Sequence, residues 1–176
     1  MDSQSEVQSS HNSSETTNAT VSSWDDLTEG QQWCLQWAHE QDWDRIKVYA
    51  KEHGPEVLLG VYSVLVDEQW RVISVLYDAS RHQNVEMVKL TLEAGFDNKE
   101  AMYTAAEISM KNSDNSTILR LLLEHGLDKR IIISHGLDPD MDLHFEGWVE
   151  NFSSNLLVLA AEKEHIDQAI ALLDHG

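Results

Sequence analysis

Histidines and carboxylates are the side chains of this chain best suited to chemistry, because its 176 residues include nine histidines but a single cysteine. Asp142 and His144 lie two residues apart, and Phe145 and Trp148 follow them closely. A carboxylate and an imidazole held together can transfer protons as a general acid and base, and aromatic rings can wall a small-molecule pocket. If the chain is an enzyme, we therefore expect Asp142, His144 and Tyr103 to be its catalytic polar groups.

Asp78 and His82 form a second pair of an acid and an imidazole, four residues apart. Residues at this spacing meet on one face of a helix, so the aspartate could orient the histidine as a general base. No nucleophile and no metal-ligand spacing accompanies the pair in the sequence. We therefore favour a structural or neutral role for these two residues over a catalytic one.

The sequence predicts no metal site and no cofactor. Asp138, Asp140 and Asp142 alternate like the first ligands of a calcium loop, in which several oxygen atoms converge on one cation. The sixth position of such a loop requires glycine and the twelfth requires glutamate, but Leu143 and Val149 occupy them. An acidic surface loop is the expected structure. The single cysteine also excludes an internal disulfide and a cysteine-based zinc site.

Charge and hydropathy restrict the partners and the compartment. Thirty-one acidic residues against twelve basic ones give a formal net charge of −19. Nucleic-acid backbones and anionic membrane surfaces would repel such a chain, so neither is an expected partner. The sequence lacks the long apolar run of a membrane span, and it starts without the basic and apolar segments of a secretory signal. We therefore expect a soluble, cytoplasmic protein.

Four segments that open with alanine and close with glycine recur along the chain. In Ala38–Gly54, Ala79–Gly95 and Ala160–Gly176 the glycine lies sixteen positions after the alanine, whereas in Ala105–Gly126 it lies twenty-one positions after. An apolar residue lies three positions before each alanine, and apolar residues recur at helical spacing towards the glycine. Each segment therefore predicts two helices joined by a tight turn and ended by glycine. Four histidines directly before a glycine are interpreted as helix ends, where they suit the negative end of the helix dipole: His53, His125, His135 and His175.

The best-defined segment resembles an ankyrin repeat, a unit of one turn and two antiparallel helices with the signature T-P-L-H-x-A. The resemblance runs from Ser74 to Asp97, and Leu121–Asp128 and Leu172–Gly176 are similar to the end of the same unit. It covers residues 33–176 with gaps. No copy keeps the Thr-Pro-Leu-His start, and the opening alanines are 41, 26 and 55 residues apart, where the family repeats about every 33. The resemblance implies an all-α fold, an irregular ankyrin-like stack of antiparallel helix pairs (an α-solenoid), whose usual role is binding.

The chain divides into a tail and one domain. Residues 1–23 are rich in Ser, Thr and Asn and have almost no large apolar residues, so we expect them to be disordered. Residues 24–176 are predicted to form the helical repeat domain, with an inserted segment at about 127–155. Apolar residues at helical spacing predict one additional helix over Pro55–Val66.

Tryptophans cluster at the start of the predicted domain. Trp33 and Trp37 share one helix face, and Trp24 and Trp43 are near them in the sequence. We expect these four side chains to form an apolar core that closes the first repeat, with Cys34 as a buried thiol among them.

Two functions are compatible with these patterns. The one we favour is a protein-interaction module that binds a protein partner on the concave face of the stack, with Tyr77, Tyr103, Phe145 and Trp148 as anchors. The other is a cofactor-independent small-molecule enzyme of the cyclase or isomerase type. It would hold a small hydrophobic ligand in an aromatic pocket between the repeats and the 127–155 insertion. Apolar residues of the last repeat also predict a homodimer through that repeat, or its coverage by further sequence: Ile166, Ala169, Ile170, Leu172 and Leu173.

Overall fold

The computed structural model describes residues 20, 21, 23–66, 69–127 and 156–175. This part of the chain is mostly helical, as the sequence predicts. Its α-helices are α1 (Glu29–Glu40), α2 (Trp43–His53), α3 (Val75–Arg81), α4 (Val85–Glu93), α5 (Lys99–Asn112), α6 (Thr117–Glu124), α7 (Leu156–Glu162) and α8 (Ile166–Asp174). Short 3-10 helices cover Trp24–Asp26 and Pro55–Leu59, and the strands β1 (Val61–Val66) and β2 (Gln69–Ser74) form a hairpin. None of the helices in these residues is long and apolar enough to traverse a bilayer.

Three of the connecting turns share one geometry, which folds the helices into pairs. Gln41, Gln83 and Glu164 adopt φ values of 61°, 56° and 59°, in the left-handed region that reverses the chain after a helix. The next residue in each case is the N-cap of the second helix. Asp42 and Asn84 fill this position in the first two turns, where the side chain accepts a hydrogen bond from the backbone N–H three residues later. The same short turn therefore forms the pairs α1–α2, α3–α4 and α7–α8.

The alanines that open the recurring segments all lie in the core. Ala38, Ala79 and Ala105 are 0% exposed and Ala160 is 1% exposed. A methyl side chain allows neighbouring helices to approach closely, so each alanine marks a contact between helices. The position that these alanines share within their segments is therefore a buried one in all four.

Glycines and histidines end the helices as the sequence predicts. Gly95 and Gly126 follow α4 and α6 with φ values of 93° and 89°, a region that favours glycine. The rings of His125 and His175 each donate from Nδ1 to the backbone carbonyl one turn earlier, at 2.8 and 3.0 Å. These bonds add a side-chain donor in the last turn, where backbone donors become scarce, and the Leu121 carbonyl also accepts the backbone N–H of His125. His135 lies outside the described residues.

Consecutive helix pairs pack in chain order. The first helices of the pairs contact one another in the series α1, α3, α5 and α7, and α4 contacts α6, which contacts α8. An ion pair joins α2 to α4, because Lys47 Nζ lies 3.1 Å from the carboxylate of Glu86. Asn112 Nδ2 donates to the carbonyl of Arg81 at 2.9 Å, which links the ends of α5 and α3. Each pair is thus held to the next by apolar contact and by polar bonds at the edges.

The prediction of a helix over Pro55–Val66 is wrong. The 3-10 helix ends at Leu59, and the chain then enters β1, which pairs antiparallel with β2 with Val61 opposite Ser74. An apolar run of this length fits both the helical period and the two-residue period of a strand, and the valines and tyrosine of β1 favour extended backbone. The backbone hydrogen bonds to β2 therefore stabilise the extended conformation of this segment over the helical one.

The folded part begins before the predicted boundary after residue 23. The N–H of Val21 donates to the carbonyl of Val61 at 3.0 Å, and the carbonyl of Val21 accepts from the N–H of Ser63 at 2.9 Å. Thr20 Oγ1 accepts a hydrogen bond from Asn98 Nδ2 at 2.9 Å. The end of the predicted tail is thus bonded to β1 and to the start of α5, and residues 1–19 lie outside the described part.

The predicted tryptophan core is only partly correct. Trp37 is 5% exposed and Trp43 is half-buried, but Trp24 and Trp33 are 37% and 40% exposed. Trp33 is exposed because α1 belongs to the first pair, whose packing against α3 covers only one side of the helix. Cys34 is 0% exposed, and burial raises the pKa of its thiol to about 12, which confirms the predicted buried cysteine.

Candidate binding groove

Most residues predicted for an enzyme site lie outside the described part of the chain. Asp142, His144, Phe145 and Trp148 all fall within residues 128–155, as does the acidic segment that imitates a calcium loop. Of the predicted insertion, only its first residue, Leu127, is described, and it is buried at 5% exposure. The enzyme prediction therefore gains no geometry from these residues.

Tyr103 is a core residue and not a surface anchor. It is 2% exposed, because α5 contacts both α3 and α7. Burial raises the pKa of its hydroxyl to about 12, and the nearby charge of Glu107 adds to this shift. A partner on the surface has no access to this side chain. Tyr77, the other predicted anchor in the described part, is half-buried on α3 and keeps an exposed edge.

Asp78 and His82 share a helix but have different surroundings. Asp78 is 3% exposed, and desolvation raises the pKa of its carboxyl, although the positive charges of His39, His82 and Arg81 oppose this shift. His82 is exposed, with its ring centroid 6.3 Å from that of Trp43. Within the described residues, no three side chains of His, Cys, Asp or Glu are grouped to hold a metal ion. The pair therefore belongs to the junction where α3 meets the first helix pair.

An open groove runs along α1 and α2, with a volume of about 340 Å³. Two residues of α1 and four of α2 line it: Trp33, Trp37, Arg45, Val48, Tyr49 and Glu52. Three of these side chains are aromatic, and the rim carries one positive and one negative charge. We call this surface the tryptophan groove.

Helical spacing places the lining residues on facing sides of the two helices. Trp33 and Trp37 are four residues apart on α1, and Arg45, Val48 and Glu52 follow a three- and four-residue spacing along α2. The short turn between the helices brings these two faces together. The groove is therefore a direct product of the first helix pair.

Gly30 gives Tyr49 the space to pack against α1. A β-carbon at this position would lie 3.3 Å from the ring of Tyr49 and 3.0 Å from Val57, both tighter than ordinary contacts. The absence of a side chain at Gly30 thus lets the tyrosine ring settle at one end of the groove. The ring of Tyr49 also packs on His53, with 4.1 Å between the centroids.

The aromatic rings form a connected cluster. The rings of Trp33 and Trp37 are stacked, with centroids 5.8 Å apart and planes 20° apart. Tyr49 meets Trp37 edge to face, with centroids 5.3 Å apart and an angle of 76°. Because Trp37 is 5% exposed and Trp33 is 40% exposed, the first ring is the floor of the groove and the second is an exposed wall. Such packing holds the exposed ring in place before any ligand arrives.

The charged lining residues occupy opposite ends of the groove. The guanidinium carbon of Arg45 lies 4.3 Å from the centroid of the Trp37 ring, a cation–π contact. Glu52 is seven residues later on α2, two helical turns away. The indole N–H of Trp33 donates to Glu29 Oε1 at 3.4 Å. These groups can bind and orient a ligand, but they include no nucleophile with an adjacent base.

Comparison with known proteins does not identify this surface. No protein-family model, no curated protein and no solved structure matches the chain. The ankyrin resemblance therefore remains a prediction from the sequence, and the groove itself is the evidence for a function.

The pairing of Trp33 with Trp37 could be predicted from the sequence, but the groove was not predicted. The available signal was Val48, an apolar residue on the side of α2 opposite the buried Ile46. An apolar residue on the outer face of a helix, next to an i, i+4 pair of tryptophans, indicates a contact surface. That signal is clear only when α1 and α2 are known to be paired.

Proposed function

We propose that the chain is a protein-interaction module and that it binds a segment of a protein partner in the tryptophan groove. The observation that carries the proposal is an exposed Trp33 stacked on a buried Trp37 in an open groove. Tryptophan, tyrosine and arginine are the residues that dominate binding energy at protein interfaces, and this groove presents all three. The expected ligand is a segment with an apolar or aromatic anchor, flanked by an acidic group that meets Arg45.

The packing of the helix pairs supports an ankyrin-like stack as the scaffold of this module. The first helices contact one another in order, and the second helices do so from α4 to α8. Repeat scaffolds of this kind usually serve as binding surfaces. The main contact then lies on the outer side of the first pair and not on the concave face, where the sequence predicts Tyr77 as an anchor.

No observation on the described residues favours the enzyme alternative. Its polar groups Asp142 and His144 lie outside the described residues, and Tyr103 is in the core. The tryptophan groove is open to solvent, and its lining includes no nucleophile with an adjacent base.

The test is a selection of peptides against the immobilised chain, followed by titration of the selected peptides against variants. Trp33→Ala should weaken binding by about 2 kcal/mol, or about thirtyfold in Kd, because it removes the exposed wall of the groove. Trp24→Ala is the matched control, since Trp24 is similarly exposed but packs on Tyr62, away from the groove. Equal affinity of all three proteins would refute the groove, and a loss in Tyr77→Ala alone would favour the concave face.

A further inference from the structure

The last helix pair carries a second exposed apolar surface. Ile166, Ile170 and Leu173 of α8 are 71%, 44% and 62% exposed, and Val158 of α7 is 49% exposed. The three residues of α8 follow an i, i+4, i+7 spacing and therefore form one stripe along the helix. We call them the α8 stripe. Ala171 and other residues on the opposite side of α8 are buried against the neighbouring helices.

The α8 stripe and the tryptophan groove lie at opposite ends of the series of helix pairs. α7 and α8 contact α5 and α6, which belong to the preceding pair. The groove is on the first pair and faces away from α4. Its residue Val48 is on the side of α2 opposite the buried Ile46. Lys47, which follows Ile46, forms the ion pair with Glu86 of α4. Both surfaces are thus in the positions where another helix pair would pack if the series continued.

We propose that the α8 stripe of one copy of this chain docks into the tryptophan groove of a second copy, so that copies associate head to tail. The proposal rests on the proposed function, since it names the partner of the same groove. It extends the packing between consecutive pairs within the chain to a contact between chains.

The two surfaces match in length and in chemistry. Arg45 and Glu52 are seven positions apart on α2, with Val48 between them, and Ile166 and Leu173 are seven positions apart on α8, with Ile170 between them. At 1.5 Å per residue, both surfaces are about 10 Å long. The aliphatic side chains of the stripe are the kind of group that fills a groove walled by tryptophan and tyrosine.

Charge contributes one attractive pair and one repulsive pair to this arrangement. Arg45 is exposed near the start of α2, and Asp167 is exposed near the start of α8. If a second copy continues the series, the second helices of the facing pairs run in the same direction, so these two groups lie side by side. The chain already contains an ion pair of this kind, between Lys47 of α2 and Glu86 of α4 at 3.1 Å. At the other end of the contact, seven positions later on each helix, Glu52 lies beside the exposed Asp174, and these two carboxylates repel each other.

The arrangement has a recognisable outcome in solution. A contact between two different surfaces leaves one groove and one stripe free on every dimer, so association does not stop at two copies. We expect the average mass in sedimentation experiments to rise steadily with protein concentration. Because each copy carries a net charge of −19, added salt should strengthen association by screening the repulsion between copies.

Two variants and their mixture test the proposal. Val48→Asp damages the groove and keeps the stripe, whereas Ile170→Asp damages the stripe and keeps the groove. Each variant alone should be a monomer at protein concentrations at which the wild type associates. The concentration at which half of the chains are associated should rise at least about tenfold. An equimolar mixture should form dimers and nothing larger, because it contains one intact groove and one intact stripe per pair of chains.

Other results would overturn the proposal. If Val48→Asp still dimerises alone while Ile170→Asp does not, the α8 stripe of one chain binds the α8 stripe of a second chain. The head-to-tail contact is then wrong. A wild type that stays monomeric at every concentration also refutes it. Leu173→Asp replaces Ile170→Asp if circular dichroism shows that the latter is unfolded, since Leu173 is 62% exposed. The proposed function survives a monomeric result if selected peptides still require Trp33, so the two failures are separable.

Discussion

The side-chain amide of Gln168 donates a 2.7 Å hydrogen bond to the backbone carbonyl of Ser113. Gln168 is 0% exposed on α8, and Ser113 directly follows α5. The amide oxygen is also bonded, to the ring of His165 at 3.0 Å. One buried side chain thus ties the fourth helix pair to the third.

Replacing Gln168 by alanine should destabilise this junction. The variant leaves the carbonyl of Ser113 without its buried donor, which costs about 1–3 kcal/mol in free energy of unfolding. Urea denaturation followed by circular dichroism measures the loss. Gln36→Ala is the control, because Gln36 is exposed and its bond to Glu40 is on the surface, so its effect should stay below about 0.5 kcal/mol. Equal effects of the two variants would contradict the junction role.

Asp78→Asn should stabilise the protein at neutral pH. Burial raises the pKa of this carboxyl in the folded state above its value in the unfolded chain, so the folded state holds the proton more tightly. The wild type therefore has its full stability from this group below the unfolded pKa and loses it as the pH rises through the folded pKa. The variant carries no titrating group there, so its advantage should grow through that range and then remain constant.

The measurement for Asp78 is the free energy of unfolding across acidic to neutral pH. Asp114→Asn provides the control, since Asp114 is exposed in the connection between α5 and α6. A stability advantage of Asp78→Asn that shrinks with rising pH would show that the pKa is lowered in the folded state, against our expectation.

Cys34 should be inert in the folded protein. Its side chain is 0% exposed, and burial raises the pKa of the thiol to about 12, so the reactive thiolate is scarce at neutral pH. A thiol reagent at about pH 8 should label the chain only after denaturant unfolds it. Glu162→Cys places a second thiol on an exposed position and should react at once, which proves that the assay works. Rapid labelling of the wild type without denaturant would show that α1 opens readily.

Gly54→Ala should cost about 1–3 kcal/mol in free energy of unfolding, because alanine is strained in this backbone conformation. Gly54 ends α2 with φ 99° and ψ 154°, a combination that is essentially restricted to glycine. Thermal or urea denaturation gives the difference. Lys51→Ala, at an exposed position in the same helix, should change the stability little. A neutral Gly54→Ala would mean that the chain relaxes around the new side chain.

The repeating parts of the fold could be predicted from the sequence because the same local chemistry recurs. Ala79 and Ala160 occupy the same buried position, and Gly95 follows α4 with the positive φ expected at a helix end. Helical periodicity and helix-ending residues are local properties, so a sequence displays them directly. The left-handed Gln41 and Gln83 were not predicted, since the sequence gives no sign that glutamine adopts this conformation.

The tryptophan groove could not be predicted from the sequence, because it depends on which helix surfaces other helices leave uncovered. Tyr103 and Trp33 are both aromatic residues on predicted helices, yet one is 2% exposed and the other 40%. The difference comes from position in the series, because α5 has helix neighbours on two sides and α1 begins the first pair. The exposure of a side chain depends on how many other helices surround its own helix, and this number cannot be predicted from the sequence of that helix alone.

The packing of each pair against its neighbours in the series also sets the order in which the structure opens. Separating α8 from the molecule breaks its contacts with α6 and α7, whereas freeing α3 disrupts α1, α4 and α5 together. Local unfolding is therefore expected to require the least free energy at α8 and the most in the middle of the series. Backbone amides of α3 and α5 should be the last to exchange their hydrogen for deuterium.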